Sequence, residues 1–116
     1  MIGEGSYGVV WLCKDHLSEG KVAVKIYKDL LNSDVRLLKA VLGEITILRE
    51  LSAIPNDYTV KLLDILLPNN PEYLTEIAIV MEYLPYTLEQ VMSKPQLFEL
   101  RPHYLKTILS QLLQSL

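Results

Sequence analysis

The chain has 116 residues, half of them hydrophobic and 22% charged, which is typical of one modest globular domain and excludes a disordered segment. Its 11 basic and 14 acidic side chains leave a net charge of −3, so the composition indicates neither a nucleic-acid partner nor a membrane partner. No apolar run approaches the roughly 20 residues of a membrane span, and the N-terminus does not resemble a secretory leader. The single cysteine, Cys13, cannot form an internal disulfide, so we expect an intracellular protein, cytoplasmic, nuclear or both.

The first part of the chain has the pattern of β-structure. Residues 9–13 are β-branched, aromatic and apolar, and residues 21–27 alternate, with turn formers between the two stretches. Three glycines precede the first stretch, Gly3, Gly5 and Gly8, and they spell G-x-G-x-x-G. This part of the sequence therefore predicts an antiparallel meander that is opened by a glycine-rich hairpin.

A long amphipathic helix is predicted next, because the apolar residues now recur at spacings of three and four. Helix-cap chemistry is supplied by Asn32, Ser33 and Asp34, and the Pro-Asn-Asp sequence at 55–57 ends the pattern. The apolar face consists of Val35, Leu38, Val41, Leu42, Ile45, Leu48 and Leu51.

The remaining sequence predicts two strands and two helices. Residues 60–67 and 76–83 are strand candidates, and the Pro-Asn-Asn-Pro turn at 68–71 separates them. A short helix is expected over 87–92, capped by its own first residue, a threonine. A second amphipathic helix is predicted over 103–116, where the apolar period continues to the last residue.

Two kinds of phosphate-binding loop carry G-x-G-x-x-G. In a dinucleotide-binding unit the glycines follow a strand and open a helix, with an acidic residue about 20 positions on. Here a strand follows Gly8, and the position where the acid should lie falls among Lys25 to Lys28, which excludes that unit. The alternative is a hairpin flap, in which glycines allow backbone N–H groups to approach the phosphates of a nucleotide.

The hairpin flap requires a later strand that carries a lysine. Lys25 ends the sequence Val-Ala-Val-Lys, which matches the V-A-x-K strand of protein kinases, where the lysine neutralises α- and β-phosphate oxygens. Such a lysine needs an anionic partner. Glu44 lies at the edge of the apolar face of the predicted helix, and Glu50 is a rival acidic side chain on the same helix.

In their order and spacing, these features resemble the small lobe of a eukaryotic protein kinase of serine/threonine type. The tracts Glu44-Ile-Thr-Ile-Leu-Arg-Glu-Leu, Lys61-Leu-Leu-Asp-Ile and Glu82-Tyr-Leu-Pro-Tyr-Thr-Leu look most like the cyclin-dependent and mitogen-activated kinases. The resemblance covers essentially the whole chain. It implies an α+β fold with a twisted antiparallel five-stranded sheet and one long helix over 1–84, followed by the start of a truncated large lobe over 85–116.

The resemblance also implies a site and its ligands. Lys25 and Glu44 would be the catalytic pair, ATP and Mg²⁺ the cofactors, and a protein the phosphate acceptor. A regulatory protein could bind the helix around Glu44. The residues that the resemblance assigns to ATP binding are Ile2, Gly3, Glu4, Gly5, Ser6, Tyr7, Gly8, Val10, Ala23, Lys25, Met81, Glu82, Tyr83 and Leu84.

Within this set the resemblance gives each adenine-binding residue a separate role. Val10 and Ala23 would pack on the two faces of the adenine, with Met81 beside it as the gatekeeper. The Glu82 carbonyl and the Leu84 backbone groups would form hydrogen bonds with the adenine edge.

The chain departs from the family pattern in several places. The His-Arg-Asp, Asp-Phe-Gly and Ala-Pro-Glu motifs do not occur in these 116 residues, so metal ligands are not expected in this chain. Gly43 stands where cyclin-dependent kinases carry an arginine, and Thr87 where relatives often have an aspartate near the ribose. We expect the 116 residues to be inactive alone, and a non-catalytic, pseudokinase-like or truncated module that binds a nucleotide or a partner stays open as the alternative.

Overall fold

The computed structural model describes residues 1–5, 8–31, 34–70, 72, 75–93 and 102–116, and it describes the side chains of all these residues except Pro102 and His103. The chain forms two compact units. The first contains residues 1–55 and 60–83, and the second contains residues 56–59 and 84–116. The predicted boundary between lobes, after residue 84, stays a prediction.

A five-stranded antiparallel sheet forms the first unit together with one long helix, as the sequence predicts. The elements are β1 (Gly3–Glu4), β2 (Val9–Lys14), β3 (Lys21–Tyr27), α1 (Val35–Ala53), β4 (Leu62–Leu66) and β5 (Ile77–Glu82). The strands follow the spatial order β1-β2-β3-β5-β4, so β2, β3 and β5 lie inside the sheet.

Strand β4 is shorter than the predicted stretch 60–67, because side chains take the donors that would extend its ladder. The N–H of Lys61 donates to the Glu82 carboxylate at 3.1 Å, and the N–H of Leu62 donates to Ser52 Oγ at 2.7 Å. The register then shifts between Leu62 and Asp64. Side-chain acceptors at the start of the strand and a β-bulge inside it therefore limit the regular pairing to five residues.

Helix α1 begins after Asp34, whose side chain accepts a hydrogen bond from the N–H of Arg36 at 3.3 Å. This confirms the predicted cap at Asp34, whereas Asn32 and Ser33 lie outside the described residues. The helix ends at Ala53, just before the predicted Pro-Asn-Asp terminator. Its cap satisfies an N–H group of the first turn that has no partner within the helix.

The core lies between α1 and the sheet. Tyr27 and Ile79 are completely buried and Val41 is 1% exposed. Burying a side chain of this size contributes about 1.5–3 kcal/mol, so this seam is a main source of stability for the unit. The buried cluster consists of Tyr27, Leu30, Val41, Ile77 and Ile79, and partly buried Leu37, Ile45, Leu48, Leu62, Ile65 and Met81 pack against it.

The second unit contains helices α2 (Leu88–Ser93) and α3 (Pro102–Ser115). The predicted cap of the short helix is confirmed, since the N–H of Gln90 donates to Thr87 Oγ1 at 3.1 Å and the N–H of Thr87 donates to Gln90 Oε1 at 2.9 Å. Residues 94–101, between these two helices, lie outside the described residues. Within the described residues, no helix combines the length and the apolar character that a membrane span needs.

The close approach of the glycine hairpin to β3 predicts a difference between two alanine substitutions. A Cβ at Gly8 would lie 2.5 Å from the Ile26 carbonyl oxygen, whereas a Cβ at Gly5 would meet nothing within 4 Å. Gly8→Ala should therefore lower the free energy of unfolding by about 1–3 kcal/mol, and Gly5→Ala by clearly less. Urea unfolding followed by the fluorescence of Trp11, the single tryptophan, measures both. Equal midpoints for the two variants would contradict the close approach.

A second substitution should stabilise the unit. Gly43 lies inside α1, and a Cβ added there meets nothing within 4 Å. Because glycine in a helix interior costs up to about 1 kcal/mol relative to alanine, Gly43→Ala should raise the free energy of unfolding by about 0.5–1 kcal/mol. The same urea titration checks this, and a lower midpoint would indicate a role for Gly43 beyond helix propensity.

Candidate functional site

An ion pair joins the sheet to α1. Lys25 Nζ, on β3, lies 2.8 Å from Glu44 Oε1, and the two side chains are 20% and 34% exposed. Glu44 follows the buried Val41 by three positions, so the packing of Val41 turns Glu44 toward the sheet. Glu50, the rival acidic residue, is exposed and lines a shallow groove along α1. The structure thus brings Lys25 and Glu44 together as predicted. The role of this pair in ATP binding stays a prediction.

Tyr27 lies beside this pair, although the sequence analysis did not assign it to the site. Lys25 and Tyr27 are two positions apart on β3, so both side chains project from the same face of the sheet. Lys25 Nζ is 5.1 Å from the centroid of the Tyr27 ring, within range of a cation–π interaction. The alternation of side chains between the two faces of β3 could have placed Tyr27 beside Lys25. A tyrosine in a strand is, however, usually interpreted as a core residue.

The Tyr27 hydroxyl is buried and makes no hydrogen bond within the described part of the chain. Burial raises the pKa of Tyr27 well above its usual value, and Glu44 raises that pKa further, because its carboxylate is near enough for a weak interaction with the protonated hydroxyl and carries a negative charge. Both causes disfavour the phenolate, since burial removes its hydration and a second negative charge repels it. Tyr27 is therefore a neutral hydroxyl at physiological pH.

Backbone hydrogen bonds outside the strand ladder help to close the described part of the glycine-rich hairpin. The N–H of Ile2 donates to the Val10 carbonyl and that of Gly5 to the Gly8 carbonyl, each at 2.9 Å. The Gly5 N–H is therefore used within the hairpin. Gly3 and Glu4 form β1, while Ser6 and Tyr7, the tip of the loop, lie outside the described residues.

Three apolar side chains share the sheet face that carries Lys25. Val10 lies directly opposite Lys25 in the β2–β3 ladder, and Met81 lies opposite Ala23 in the β3–β5 ladder. Directly opposed residues in an antiparallel pair project from the same face. Because Ala23 and Lys25 are two positions apart on β3, their side chains project from the same face. All four side chains therefore lie on one face, with the charge of Lys25 beside an apolar strip formed by Val10, Ala23 and Met81.

The predicted hinge residues that belong to the first unit lie at the end of β5. Glu82 lies opposite Val22, and its carboxylate accepts the Lys61 N–H, so this side chain is directed to a neighbouring strand. Tyr83 follows β5 and is half-buried. Leu84 belongs to the second unit, where its side chain is 59% exposed. The adenine contacts predicted for Glu82 and Leu84 stay predictions.

Taken with the five-stranded sheet, the lysine strand and the helix glutamate define a class of protein. The chain belongs to the protein kinase domain family, whose pattern it matches over residues 1–116. Members of this family use ATP and Mg²⁺. In the described part of the chain, no group of three or more His, Cys, Asp or Glu side chains is placed to hold a metal ion.

The similar proteins are kinases of the predicted group. The chain is 33% identical to the serine/threonine kinase NLK of Caenorhabditis elegans over 115 residues, 99% of this chain and 17% of that protein. It is 35% identical to extracellular signal-regulated kinase 1 of Dictyostelium discoideum over 95 residues, 82% of this chain and 17% of that protein. It is 32% identical to cell division control protein 2 homolog 2 of Trypanosoma brucei brucei over 93 residues, 80% of this chain and 24% of that protein.

These comparisons confirm the predicted resemblance to serine/threonine kinases of the cyclin-dependent and mitogen-activated type. The matched segment spans 17–24% of the length of these curated relatives.

The buried hydroxyl of Tyr27 predicts a loss of stability in alkali. Above about pH 10 the unfolded chain ionises this tyrosine while the folded chain keeps the proton, because the pKa of Tyr27 is raised by burial and by Glu44. The unfolded state then binds fewer protons, so the free energy of unfolding falls as the pH rises. Below about pH 10 this contribution is constant.

The Tyr27→Phe variant lacks that contribution. Between about pH 9 and pH 11 its free energy of unfolding should fall less steeply than that of the wild type. Urea unfolding at each pH, followed by Trp11 fluorescence, gives both slopes. Parallel curves would show that Tyr27 ionises normally.

Proposed function

We propose that this chain is the ATP-binding part of a protein kinase that transfers the γ-phosphate of ATP to serine or threonine hydroxyls of proteins. The observation that carries the proposal is the 2.8 Å ion pair between Lys25 and Glu44. It lies on the sheet face that also carries Val10, Ala23 and Met81. Kinase family membership supports the reaction type.

Lys25 is suited to hold the α- and β-phosphates of ATP. Its ammonium has three donors, and Glu44 takes one of them. The side chain remains 20% exposed, so the other donors can turn to a phosphate oxygen. Glu44 then keeps the ammonium oriented while the phosphate binds, which reduces the reorganisation that binding requires.

The apolar strip is suited to the adenine. Val10 and Ala23 are small and aliphatic and would pack on the base, and Met81 would limit the depth of the pocket beside it. The glycine hairpin would lie over the phosphates. Gly5 adds no side chain there, and a Cβ at that position would meet nothing within 4 Å.

Phosphoryl transfer itself needs groups that these 116 residues do not contain. The family places its catalytic aspartate in His-Arg-Asp and a metal-binding aspartate in Asp-Phe-Gly, and neither motif occurs in the sequence. We therefore propose that the 116 residues bind ATP, and that Mg²⁺ and the acceptor hydroxyl are handled by residues other than these. A module that binds nucleotide without catalysis is the second candidate.

Helix α1 is the proposed contact for a regulatory protein. Leu42 and Ile47, on either side of Glu44, are 49% and 58% exposed. A groove of about 330 Å³ runs along the next turns, lined by Ile45, Thr46, Arg49, Glu50 and Ala53. A partner on this helix would change the position of Glu44 relative to Lys25. An intracellular location is part of the same proposal.

Removing the lysine tests the ATP site. Lys25→Met should weaken ATP binding about tenfold or more, because a hydrogen bond to a charged group contributes about 1.5–3 kcal/mol. Isothermal titration of the 116-residue chain with MgATP measures the Kd. Lys21→Met is the matched control, since Lys21 lies on the same strand but is exposed. Equal Kd values for wild type and Lys25→Met would overturn the assignment of the phosphate clamp.

Catalysis is tested separately from binding. The chain should transfer no radiolabel from γ-labelled ATP to a generic protein substrate although it binds the nucleotide. Transfer that Lys25→Met abolishes would show that the 116 residues are a complete catalyst and would remove the second candidate.

A further inference from the structure

A hydroxyl without a partner lies at the centre of the proposed site. The Tyr27 side chain is completely buried, and its hydroxyl makes no hydrogen bond with any described residue. A buried polar group normally has a partner, because it has lost its hydrogen bonds to water. A phenylalanine would fill the same space without that cost, so the hydroxyl calls for an explanation.

The Glu44 carboxylate is an acceptor near this hydroxyl. The Glu44 carboxylate is close enough to act on the ionisation of Tyr27, yet it is bonded through Oε1 to Lys25 at 2.8 Å. A carboxylate has two oxygens and can accept several hydrogen bonds. A small rotation of the Glu44 side chain would therefore let it accept from Tyr27 as well as from Lys25.

The ring of the same tyrosine contacts the other member of the pair. Lys25 Nζ lies 5.1 Å from the ring centroid. Tyr27 is thus next to both charges, with its ring at the ammonium and its hydroxyl at the carboxylate. It is also part of the core cluster with Val41 and Ile79, which holds the ring in place.

We propose, on the basis of the nucleotide-binding function argued above, that Tyr27 is a positioning residue for the Lys25–Glu44 pair. Its ring supports the ammonium, and its hydroxyl is a second donor to Glu44, which a small rotation of the Glu44 side chain engages and which remains when Lys25 turns toward a phosphate. Glu44 then keeps a bonding partner while the lysine is shared with the ligand.

The stability of hydroxyl-deleted variants separates this role from that of a passive core residue. If the hydroxyl donates to Glu44, Tyr27→Phe lowers the urea midpoint, and the loss disappears in a Glu44→Met background, which has no acceptor. If the hydroxyl is only an unsatisfied group, Tyr27→Phe leaves the midpoint unchanged or raises it in both backgrounds. Tyr58→Phe is the matched control, because Tyr58 is 45% exposed and lies outside the core.

The reactivity of Lys25 reports on the pair directly. Brief treatment of the 116-residue chain with acetic anhydride, followed by peptide mass spectrometry, gives the acetylation rate of each lysine. Exposed Lys14 and Lys28 are the internal standards. Tyr27→Phe should raise the relative rate at Lys25 about two- to fivefold, the size expected from loss of one modest hydrogen bond. Tyr27→Leu, which also removes the ring, should raise it further.

The acetylation rates at Lys25 decide whether Tyr27 has the positioning role. A rate at Lys25 that is unchanged in Tyr27→Phe, or that rises equally in the Glu44→Met background, overturns the positioning role. Circular dichroism of each variant establishes that it is folded. Tyr27→Phe keeps the ring and the volume, so its result stands even where Tyr27→Leu fails to fold.

Adding MgATP tests nucleotide binding at this site separately from the positioning role of Tyr27. Protection of Lys25 from acetylation by MgATP supports nucleotide binding at this site. Absence of protection in the wild type overturns the proposed function, while the variant rates without nucleotide still decide the role of Tyr27. Protection together with unchanged variant rates overturns only the positioning role.

Discussion

The packing of α1 on the sheet is the constraint on which the site depends. Val41 is 1% exposed, and it is buried with Tyr27 and Ile79, which are completely buried. Glu44 follows Val41 by less than one helical turn, so the same burial that holds the helix directs the carboxylate to Lys25. The ion pair is partly exposed, and such pairs contribute little to stability. The apolar contacts between α1 and the sheet therefore position the two charged side chains. The ion pair contributes little to keeping α1 packed on the sheet.

A second close approach joins the glycine hairpin to the lysine strand. Gly8 leaves no room for a Cβ against the Ile26 carbonyl, and Ile26 is the residue after Lys25. The hairpin therefore comes close to β3 next to the lysine, through backbone contacts that no larger residue permits. The spacing of the G-x-G-x-x-G motif from V-A-V-K thus has a steric basis in the fold, in addition to its proposed role with a nucleotide.

Periodicity was enough to predict α1 and most of the strands, because each depends on local pattern, and the resemblance to the kinase small lobe implied the five-stranded sheet and the pair of Lys25 and Glu44. They did not give the start of β4, where the Ser52 and Glu82 side chains take backbone donors from distant positions in the chain. They also passed over Tyr27. The alternation of β3 puts Tyr27 on the same face as Lys25, but its place beside Glu44 depends on the packing of α1 on β3, which no local pattern of β3 contains.

The position of Tyr27 bears on how Glu44 can orient Lys25 while Lys25 also binds a phosphate. Any phosphate that attracts Lys25 competes with Glu44, and a carboxylate that loses its partner in a half-buried place is costly. A neutral donor at the same point removes that cost without adding a charge that would compete for the lysine. Burial keeps the Tyr27 hydroxyl protonated, because it raises the pKa of the group, so the donor remains available at physiological pH. A core residue can in this way serve the chemistry of the surface it supports.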